Sequence, residues 1–513
     1  MRAFSAAWHR ISSGIRPQPL VTLLFRHRKA LFLVGLFLRL GTAPMDGTQD
    51  MEYWKAFATE SLRHGVTAIY GAPDAEILRL AREGKTIAEI TELTQNQFHY
   101  DSFQYDRKVF SCPQPPLFVY LIHLAGLGYT ALDPARSSRR LFNLFMNLPP
   151  FLATCLTAWL MLLFLGPRLG REMATATALL YWVNPLVLLN SPVQGYLDPI
   201  FGFFGIAALM ATCQYRFGWA AALATLAILH KPQGILAGLA VLAAAMAVNR
   251  RKNLMRGMCA AAATTVAVFL PYLVSGKFLS LLIGMGTSGS PTVDLSRQAL
   301  NPWWVLQYSL WGYSAFKTGA TGFWGAVLGG PHRWWRDYSQ ADFLSRTGLH
   351  LSWIGYPMLV ISLGVVMILM VRAIRRDRMA IFLGAACLSF VFYTVRLGAQ
   401  GNHYFFLIPA LSVTALLSPR HLRAVLGSTT FFLVPDFVYY GLGRDWLPPV
   451  VEWLASHSAG WVLALWAVGG TVLCFSLIRW LADYPLEESA TNAVASNRLL
   501  KNSPPARFSG RLG

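Results

Sequence analysis

Long apolar runs recur along this chain of 513 residues, and they constrain its fold more than any other feature. A helix needs about 20 consecutive apolar residues to cross a bilayer. Only 13% of the residues are charged, whereas soluble chains carry about 25%. The sequence therefore predicts an all-α fold, a polytopic transmembrane helical bundle. The clearest runs are 142–165, 173–189, 257–274, 351–371, 381–395, 425–440 and 461–477.

The positive charge of the chain follows the membrane pattern. A net charge of +20 is compatible with nucleic-acid binding, but the cations gather in short loops between the apolar runs. Cytoplasmic loops are marked in this way, and they also attract anionic lipid. We therefore predict no nucleic-acid partner and place both termini in the cytoplasm. The basic loops are centred on residues 168–171, 216, 250–256, 372–378 and 420–423.

These loops predict a specific topology of about twelve spans. Residues 1–29 form a basic cytoplasmic N-terminus, 30–480 the transmembrane domain, and 481–513 a disordered cytoplasmic tail rich in Ser, Asn, Pro and Arg. Residues 44–141 and 275–350 are predicted as large extracytoplasmic loops. We interpret the apolar stretch 117–132 as a helix in the outer interface, because counting it as a span inverts every later basic loop.

Under this topology the external side collects an unusual set of polar residues. Asp46 and Asp50 directly follow the first apolar stretch, where the bilayer ends. Acids, cations and carboxamides at membrane depth are costly, and they usually line a site. The other members of the set are Gln194, Asp198, His230, Lys231, Arg297, Asn301, Arg396, Asn402 and His403, with the pair Trp303 and Trp304 nearby in sequence.

Each of these residues also has a purely structural interpretation. The two acids suit a turn around Gly47, and Asp198 before Pro199 is a common start of a helix. Lys231 and Arg396 could each simply end a helix, with the long side chain extending to the membrane interface. His403 suits a backbone hydrogen bond, and the tryptophan pair suits an interfacial aromatic belt.

The same residues carry a resemblance to the GT-C superfamily of integral-membrane glycosyltransferases. Within this superfamily the chain looks most similar to bacterial mannosyl- or hexosyltransferases and to the dolichyl-phosphate-glucose-dependent glucosyltransferases of the ER. The matching segments appear in the family's order between about residues 36 and 411. They are Asp50 with the aromatics after it, Pro115-Pro116-Leu117, Asn184-Pro185, Gln194 to Asp198, His230-Lys231-Pro232-Gln233, Asn301-Pro302-Trp303-Trp304 and Asn402-His403-Tyr404.

The resemblance implies a GT-C-like bundle that transfers a hexose, mannose or glucose, from a polyprenyl-phosphate sugar to a hydroxyl acceptor with inversion. One carboxylate is then needed as general base, and Asp50 is the first candidate with Asp46 second. Fixed cations are needed for the departing phosphate. The candidates are Lys231, His403, Arg396 and Arg297. Gln194, Asp198, His230, Asn301, Trp304 and Asn402 are the expected substrate contacts.

The sequence carries no metal-site or nucleotide-binding motif, so no cofactor is expected. The expected partners are the lipid-linked sugar, the bilayer, and a glycan, glycolipid or protein acceptor. A bacterial inner membrane is favoured over the ER, with the site on the periplasmic or lumenal side. The alternative function is a transporter or flippase for a lipid-linked or anionic solute, because a helix broken at Lys231-Pro232 suits that class as well.

Overall fold

The computed structural model describes residues 17–94, 98–99, 108–109, 112–248, 251–289, 296, 299–317, 319, 350–441 and 460–484. These residues are mostly helical, with one antiparallel pair of two-residue strands, β1 (Phe98–His99) and β2 (Lys108–Val109). In chain order the helices are α1 Pro17–Arg26, α2 Arg28–Thr42, α3 Gln49–His64, α4 Asp74–Arg82, α5 Ile87–Thr94, α6 Pro116–Leu132, α7 Arg139–Leu169, α8 Arg171–Trp182, α9 Pro185–Leu188, α10 Asp198–Cys213, α11 Phe217–His230, α12 Ile235–Val248, α13 Arg251–Val274, α14 Phe278–Gly289, α15 Pro302–Lys317, α16 Ser352–Arg376, α17 Ala380–Val395, α18 Leu407–Thr414, α19 Pro419–Tyr440 and α20 Gly460–Ala482.

Four helices in this part of the chain are long and apolar enough to cross a bilayer, and they indicate a membrane protein. They are α7, α13, α16 and the Trp461–Ala482 part of α20. A fifth span is possible if α8 and Pro185–Val193, which meet at a bend of 51°, cross together. Five further apolar helices are shorter, so length alone supports four to five spans. These shorter helices are Pro116–Leu132, Asp198–Cys213, Phe217–His230, Pro232–Val248 and Ala380–Val395.

The predicted loops and termini contain more helix than the sequence patterns indicated. The first external loop holds α3 to α6 and the strand pair, and the second holds α14 and α15. The basic N-terminus includes α1, and α20 continues to Ala482, two residues into the predicted tail. Residues 485–513 of that tail lie outside the described residues.

The helix break after α8 follows from its residues. Pro185 has no N–H to continue the helix, and Asn184 Oδ1 accepts from the Leu186 N–H over 3.0 Å. The Trp182 carbonyl, left without its helical partner, accepts from Arg39 Nη2 over 2.7 Å. The guanidinium also lies 3.9 Å from the centroid of the Trp182 ring. The one cation buried within α2 therefore stabilises the break in α8.

The core surrounds α17, in which almost every residue is buried. By contrast α7, α13 and α16 expose large apolar side chains such as Leu163, Val274 and Val360. Large exposed apolar surfaces suit contact with lipid. The loops at one end of this bundle carry most of the predicted site residues.

Candidate active site

The loop between α2 and α3 is fixed on the turn that precedes α10. Thr48 donates from its N–H and its Oγ1 to the Gln194 carbonyl, over 2.9 and 3.0 Å. Trp54 Nε1 donates to the Gly195 carbonyl over 3.3 Å. Gly47 has φ +62°, and a Cβ there would lie 2.8 Å from the Gln194 oxygen. The close approach brings the Asp46–Asp50 loop onto the Gln194–Asp198 turn, although the two are far apart in sequence.

Asp46 belongs to a network of ion pairs. Arg139 Nη2 contacts Asp46 Oδ2, and Asn143 Nδ2 donates to Asp46 Oδ1 over 3.1 Å. Arg139 also lies 3.4 Å from Glu52 Oε1, which lies 3.4 Å from Lys55 Nζ. Burial lowers the pKa of Lys55, and the nearby Glu52 opposes that shift. Asp46 thus ties the loop to the start of α7, with its charge balanced by Arg139.

Asp50 occupies the first turn of α3 and is half-buried. Its charge acts on Tyr196 and Tyr440, whose rings meet edge to face at 5.5 Å between centroids. Burial raises the pKa of Tyr196 well above its usual value, and Tyr440 and the charge of Asp50 act in the same direction. The two acids therefore differ in surroundings, because Asp46 contacts a guanidinium and the charge of Asp50 acts on two buried phenols.

A buried ion pair joins the Gln194–Asp198 turn to the helix break at Lys231. Lys231 Nζ contacts Asp198 Oδ1, and Asn190 Nδ2 donates to Asp198 Oδ2 over 3.1 Å. The Asp198 side chain is 1% exposed and that of Lys231 is 19% exposed. Asn190 reaches this position from a single π-helical turn, Leu189–Val193, a geometry frequent at functional sites. Asp198 balances the charge of Lys231, so an anion at Lys231 also meets that carboxylate.

Several buried polar atoms around this pair have no hydrogen-bond partner among the described residues. Both ring nitrogens of His230 and both side-chain polar atoms of Gln194 are in this state. The His230 ring packs against Phe118, with 5.6 Å between centroids. Buried polar atoms are normally paired, so these atoms indicate a place for water or a polar ligand. We call the residues the buried polar set: Asn190, Gln194, His230, Gln233 and Asn402.

Arg396 and His403 lie together after α17. Arg396 Nη1 is 3.5 Å from His403 Nδ1, and the Gln400 N–H donates to the same Nδ1 over 3.2 Å. In the neutral imidazole the proton then resides on Nε2, which is a donor. Burial lowers the pKa of Arg396, and no carboxylate contacts its guanidinium within the described part of the chain. This arrangement suits an anionic ligand better than Lys231 does.

The side chains of Asn301 and Trp304 make contacts within the fold rather than lining an open site. Asn301 Oδ1 accepts from the Trp304 N–H over 3.1 Å at the start of α15, and its Nδ2 donates to the Tyr393 carbonyl over 3.1 Å. Trp304 is fully buried, and its Nε1 donates to the Tyr439 hydroxyl over 2.6 Å. Arg297 lies outside the described residues.

Sequence reasoning missed Asp436, a fully buried acid in α19. Its Oδ2 accepts from the Tyr404 hydroxyl, and its Oδ1 has no partner among the residues that the structure describes. The carboxylate lies close enough to Asp198 for the two charges to repel each other. One signal was available, since Asp436 is the only acid in the apolar run 425–440, and acids in such runs are rarely incidental.

These contacts bring most of the predicted residues to one end of the bundle. Asp50, Asp198 and Lys231 interact there with Tyr196, Tyr404, Asp436 and Tyr440 or with each other. Gln194, His230 and Asn402 lie within two residues of these groups along the chain. In the described ranges no three His, Cys, Asp or Glu side chains converge closely enough to hold a metal ion.

Comparison of the sequence with models of protein families and with curated proteins gives no match.

Proposed function

We propose that this chain is a membrane glycosyltransferase that transfers a hexose, mannose or glucose, from a polyprenyl-phosphate sugar to a hydroxyl acceptor with inversion. The observation that carries the proposal is a carboxylate, Asp50, near a buried polar set in which several side-chain atoms have no partner among the described residues. Sugar hydroxyls both donate and accept hydrogen bonds. They suit the amide and imidazole groups of Gln194, His230 and Asn402.

The chemistry needs one base and a site for the leaving phosphate. As the acceptor oxygen bonds to the anomeric carbon, its proton passes to Asp50. The bond from that carbon to the phosphate oxygen breaks, and the polyprenyl phosphate leaves with the electron pair. Arg396 and the Nε2–H of His403 are placed to stabilise this phosphate. Lys231 contributes while paired with Asp198.

The remaining predicted residues take supporting roles in this proposal. Asp46 holds the loop that carries Asp50, through its contact with Arg139. Asn301 and Trp304 shape the wall formed by α15 rather than contact the sugar.

The membrane arrangement that we propose keeps about twelve spans of GT-C type. Five spans come from the long candidates, with the bent pair counted as one, and four from the shorter apolar helices α10, α11, α12 and α17. The remaining three are α2, α18 and α19. The site then faces the periplasm of a bacterial inner membrane, or less favourably the ER lumen, with both termini cytoplasmic. The acceptor is a glycan, a glycolipid or a protein.

A direct assay tests the activity. The purified full chain would be incubated with polyprenyl-phosphate-linked mannose or glucose and a panel of acceptors, and products read by mass spectrometry. We expect a glycosylated product without any nucleotide sugar or ATP. The broken helix at Lys231 also suits a transporter or flippase. Movement of the lipid-linked sugar across sealed vesicles with no covalent product would favour that alternative.

A further inference from the structure

The helix α19 holds a fully buried acid, Asp436, near its C-terminal end. The Asp436 Oδ2 accepts a hydrogen bond from the Tyr404 hydroxyl, and no ion pair among the described residues includes this carboxylate. A buried carboxylate without a cation costs stability, and acids within apolar helices usually serve a function. The role of Asp436 therefore follows from what Tyr404 carries.

Tyr404 is held on α19 at both its hydroxyl and its ring. The hydroxyl bonds to Asp436, and the ring stacks on Phe432 with 4.2 Å between centroids and 17° between planes. Phe432 and Asp436 are one helical turn apart on the same face of α19. The Tyr404 carbonyl also accepts from Ser389 Oγ in α17 over 3.3 Å. Tyr404 therefore fixes its own segment of chain against both helices.

Tyr404 ends a single 3₁₀ turn that begins at Gly401 and also carries Asn402 and His403. Gln400 closes this turn internally. Its side chain accepts from the His403 N–H, and its own N–H donates to His403 Nδ1 over 3.2 Å. Reciprocal bonds of this kind hold the residues of a turn together. A contact that fixes Tyr404 on α19 therefore also fixes the position of the His403 imidazole.

The two groups proposed to bind the phosphate share one support in α17. The Phe392 ring lies 5.8 Å from the His403 ring and 5.0 Å from the Arg396 guanidinium, measured to its centroid. Arg396 directly follows α17, whereas His403 depends on the 3₁₀ turn for its position. A shift of the turn would therefore change the spacing of Arg396 Nη1 and His403 Nδ1, which are 3.5 Å apart.

The same end of α19 also contacts the other loop of the site. Tyr440, one turn after Asp436, packs edge to face on Tyr196 with 5.5 Å between ring centroids. Tyr196 belongs to the Gln194–Asp198 turn. Because α19 contacts both loops, it sets their relative position, and Asp436 supplies its side-chain hydrogen bond to the loop that carries His403.

We propose that Asp436 is a positioning residue, which acts through Tyr404 to hold His403 where the phosphate of the lipid-linked donor binds. This role rests on the proposed function, which places the donor phosphate at Arg396 and His403. Asp436 serves as a hydrogen-bond acceptor and needs no contact with the donor. A different side chain that accepts from the Tyr404 hydroxyl at this position should therefore preserve the role.

Binding of a polyprenyl phosphate without its sugar tests this role apart from the chemistry. The full chain in neutral detergent would be titrated with undecaprenyl phosphate, and its affinity read by native mass spectrometry. Tyr404→Phe removes the hydroxyl and keeps the ring, and Asp436→Leu removes the acceptor. We expect each to weaken binding roughly tenfold, the effect of losing one hydrogen bond to a charged group. Asp436→Asn keeps an acceptor and should restore the affinity to within about threefold of the unaltered chain.

The double variant separates positioning from direct contact. If Asp436 acts only through Tyr404, then Tyr404→Phe combined with Asp436→Leu should bind no more weakly than either single variant. Additive losses, or a larger loss in Asp436→Leu than in Tyr404→Phe, would show that the carboxylate contacts the lipid itself and would overturn the proposal.

Tyr484→Phe is the matched control, because the Tyr484 hydroxyl donates to Asp377 Oδ2 over 2.8 Å. This contact precedes α17, about 24 Å along that helix from Arg396. The control should keep its affinity, and a loss equal to that of Tyr404→Phe would overturn the proposal. Equal affinities for all variants would contradict the positioning role alone. An unaltered chain that binds no undecaprenyl phosphate would contradict the proposed function as well.

Discussion

Asp46 and Asp50 are four residues apart, but their side chains have different surroundings and take different roles in the proposed function. Asp46 contacts Arg139 and accepts from Asn143, so its lone pairs and charge are already engaged. The charge of Asp50 acts on two buried phenols, Tyr196 and Tyr440. In the proposed function Asp50 is the general base, and Asp46 holds the loop through Arg139 and Asn143.

Replacing each acid by its amide tests this division. Asp50→Asn should lower the single-turnover rate by about 10²–10⁴ while donor binding stays nearly unchanged. Asp46→Asn should mainly lower thermal stability, because it removes one of the two carboxylates that Arg139 contacts. Rates measured by mass spectrometry and melting curves separate the two effects. A normal rate in the Asp50 variant with an inactive Asp46 variant would exchange the roles.

The Asp198–Lys231 pair offers a second test at a single contact. Lys231→Ala leaves a carboxylate that is 1% exposed without its cation. Breaking a buried pair costs about 3–5 kcal/mol, and we expect about 3 kcal/mol because Lys231 is partly exposed. Asp198→Asn combined with Lys231→Met should recover most of the unfolding free energy but not activity. If the double variant is as unstable as Lys231→Ala, the pair does not account for the loss.

Helix breaks, rather than whole helices, position the site. The break at His230-Lys231-Pro232 was predicted from the sequence, because proline ends a helix at the preceding residues, and the structure confirms it. The break at Asn184-Pro185 was not predicted, since residues 173–189 were interpreted as one span. The partners that stabilise them could not be predicted, since Arg39 meets Trp182 only through packing of α2 on α8. The π-helical turn at Asn190 has no sequence signature either.

Gly234 sets how closely the chain folds back at the Lys231 break. A Cβ at Gly234 would lie 2.2 Å from the backbone of Ala227, which cannot move aside as a side chain does. Gly234→Ala should therefore cost about 1–3 kcal/mol and displace Lys231, lowering both melting temperature and turnover. Gly238 is the matched control, because a Cβ there meets only the Ile228 side chain at 3.5 Å. Equal melting temperatures for the two alanine variants would contradict this account.

At the scale of the molecule, the apolar runs predicted the long helices well. Runs 142–165, 257–274 and 461–477 lie within long apolar helices, and so does run 351–371 apart from its first residue. Run 173–189 was predicted as one straight span, but it bends by 51° after Trp182. The predicted count of twelve spans exceeds the four to five helices that are long and apolar enough to cross a bilayer. Several other apolar helices have 17 residues or fewer. Hydropathy cannot distinguish a short span from a buried core helix.

The predicted orientation of the bundle rests on the basic loops and can be measured. In a cysteine-free background, one cysteine would replace Arg82 at the exposed end of α4, and another would replace Arg375 near the end of α16. Because cations mark the cytoplasmic side, a membrane-impermeant maleimide should label the Arg82→Cys protein in intact cells or sealed vesicles. It should label the Arg375→Cys protein only after permeabilisation. Both sites lose an arginine, so the change in charge is matched. Labelling of Arg375→Cys from outside would reverse the predicted topology. Asp50 would then lie on the cytoplasmic side, where a periplasmic or lumenal acceptor could not reach it.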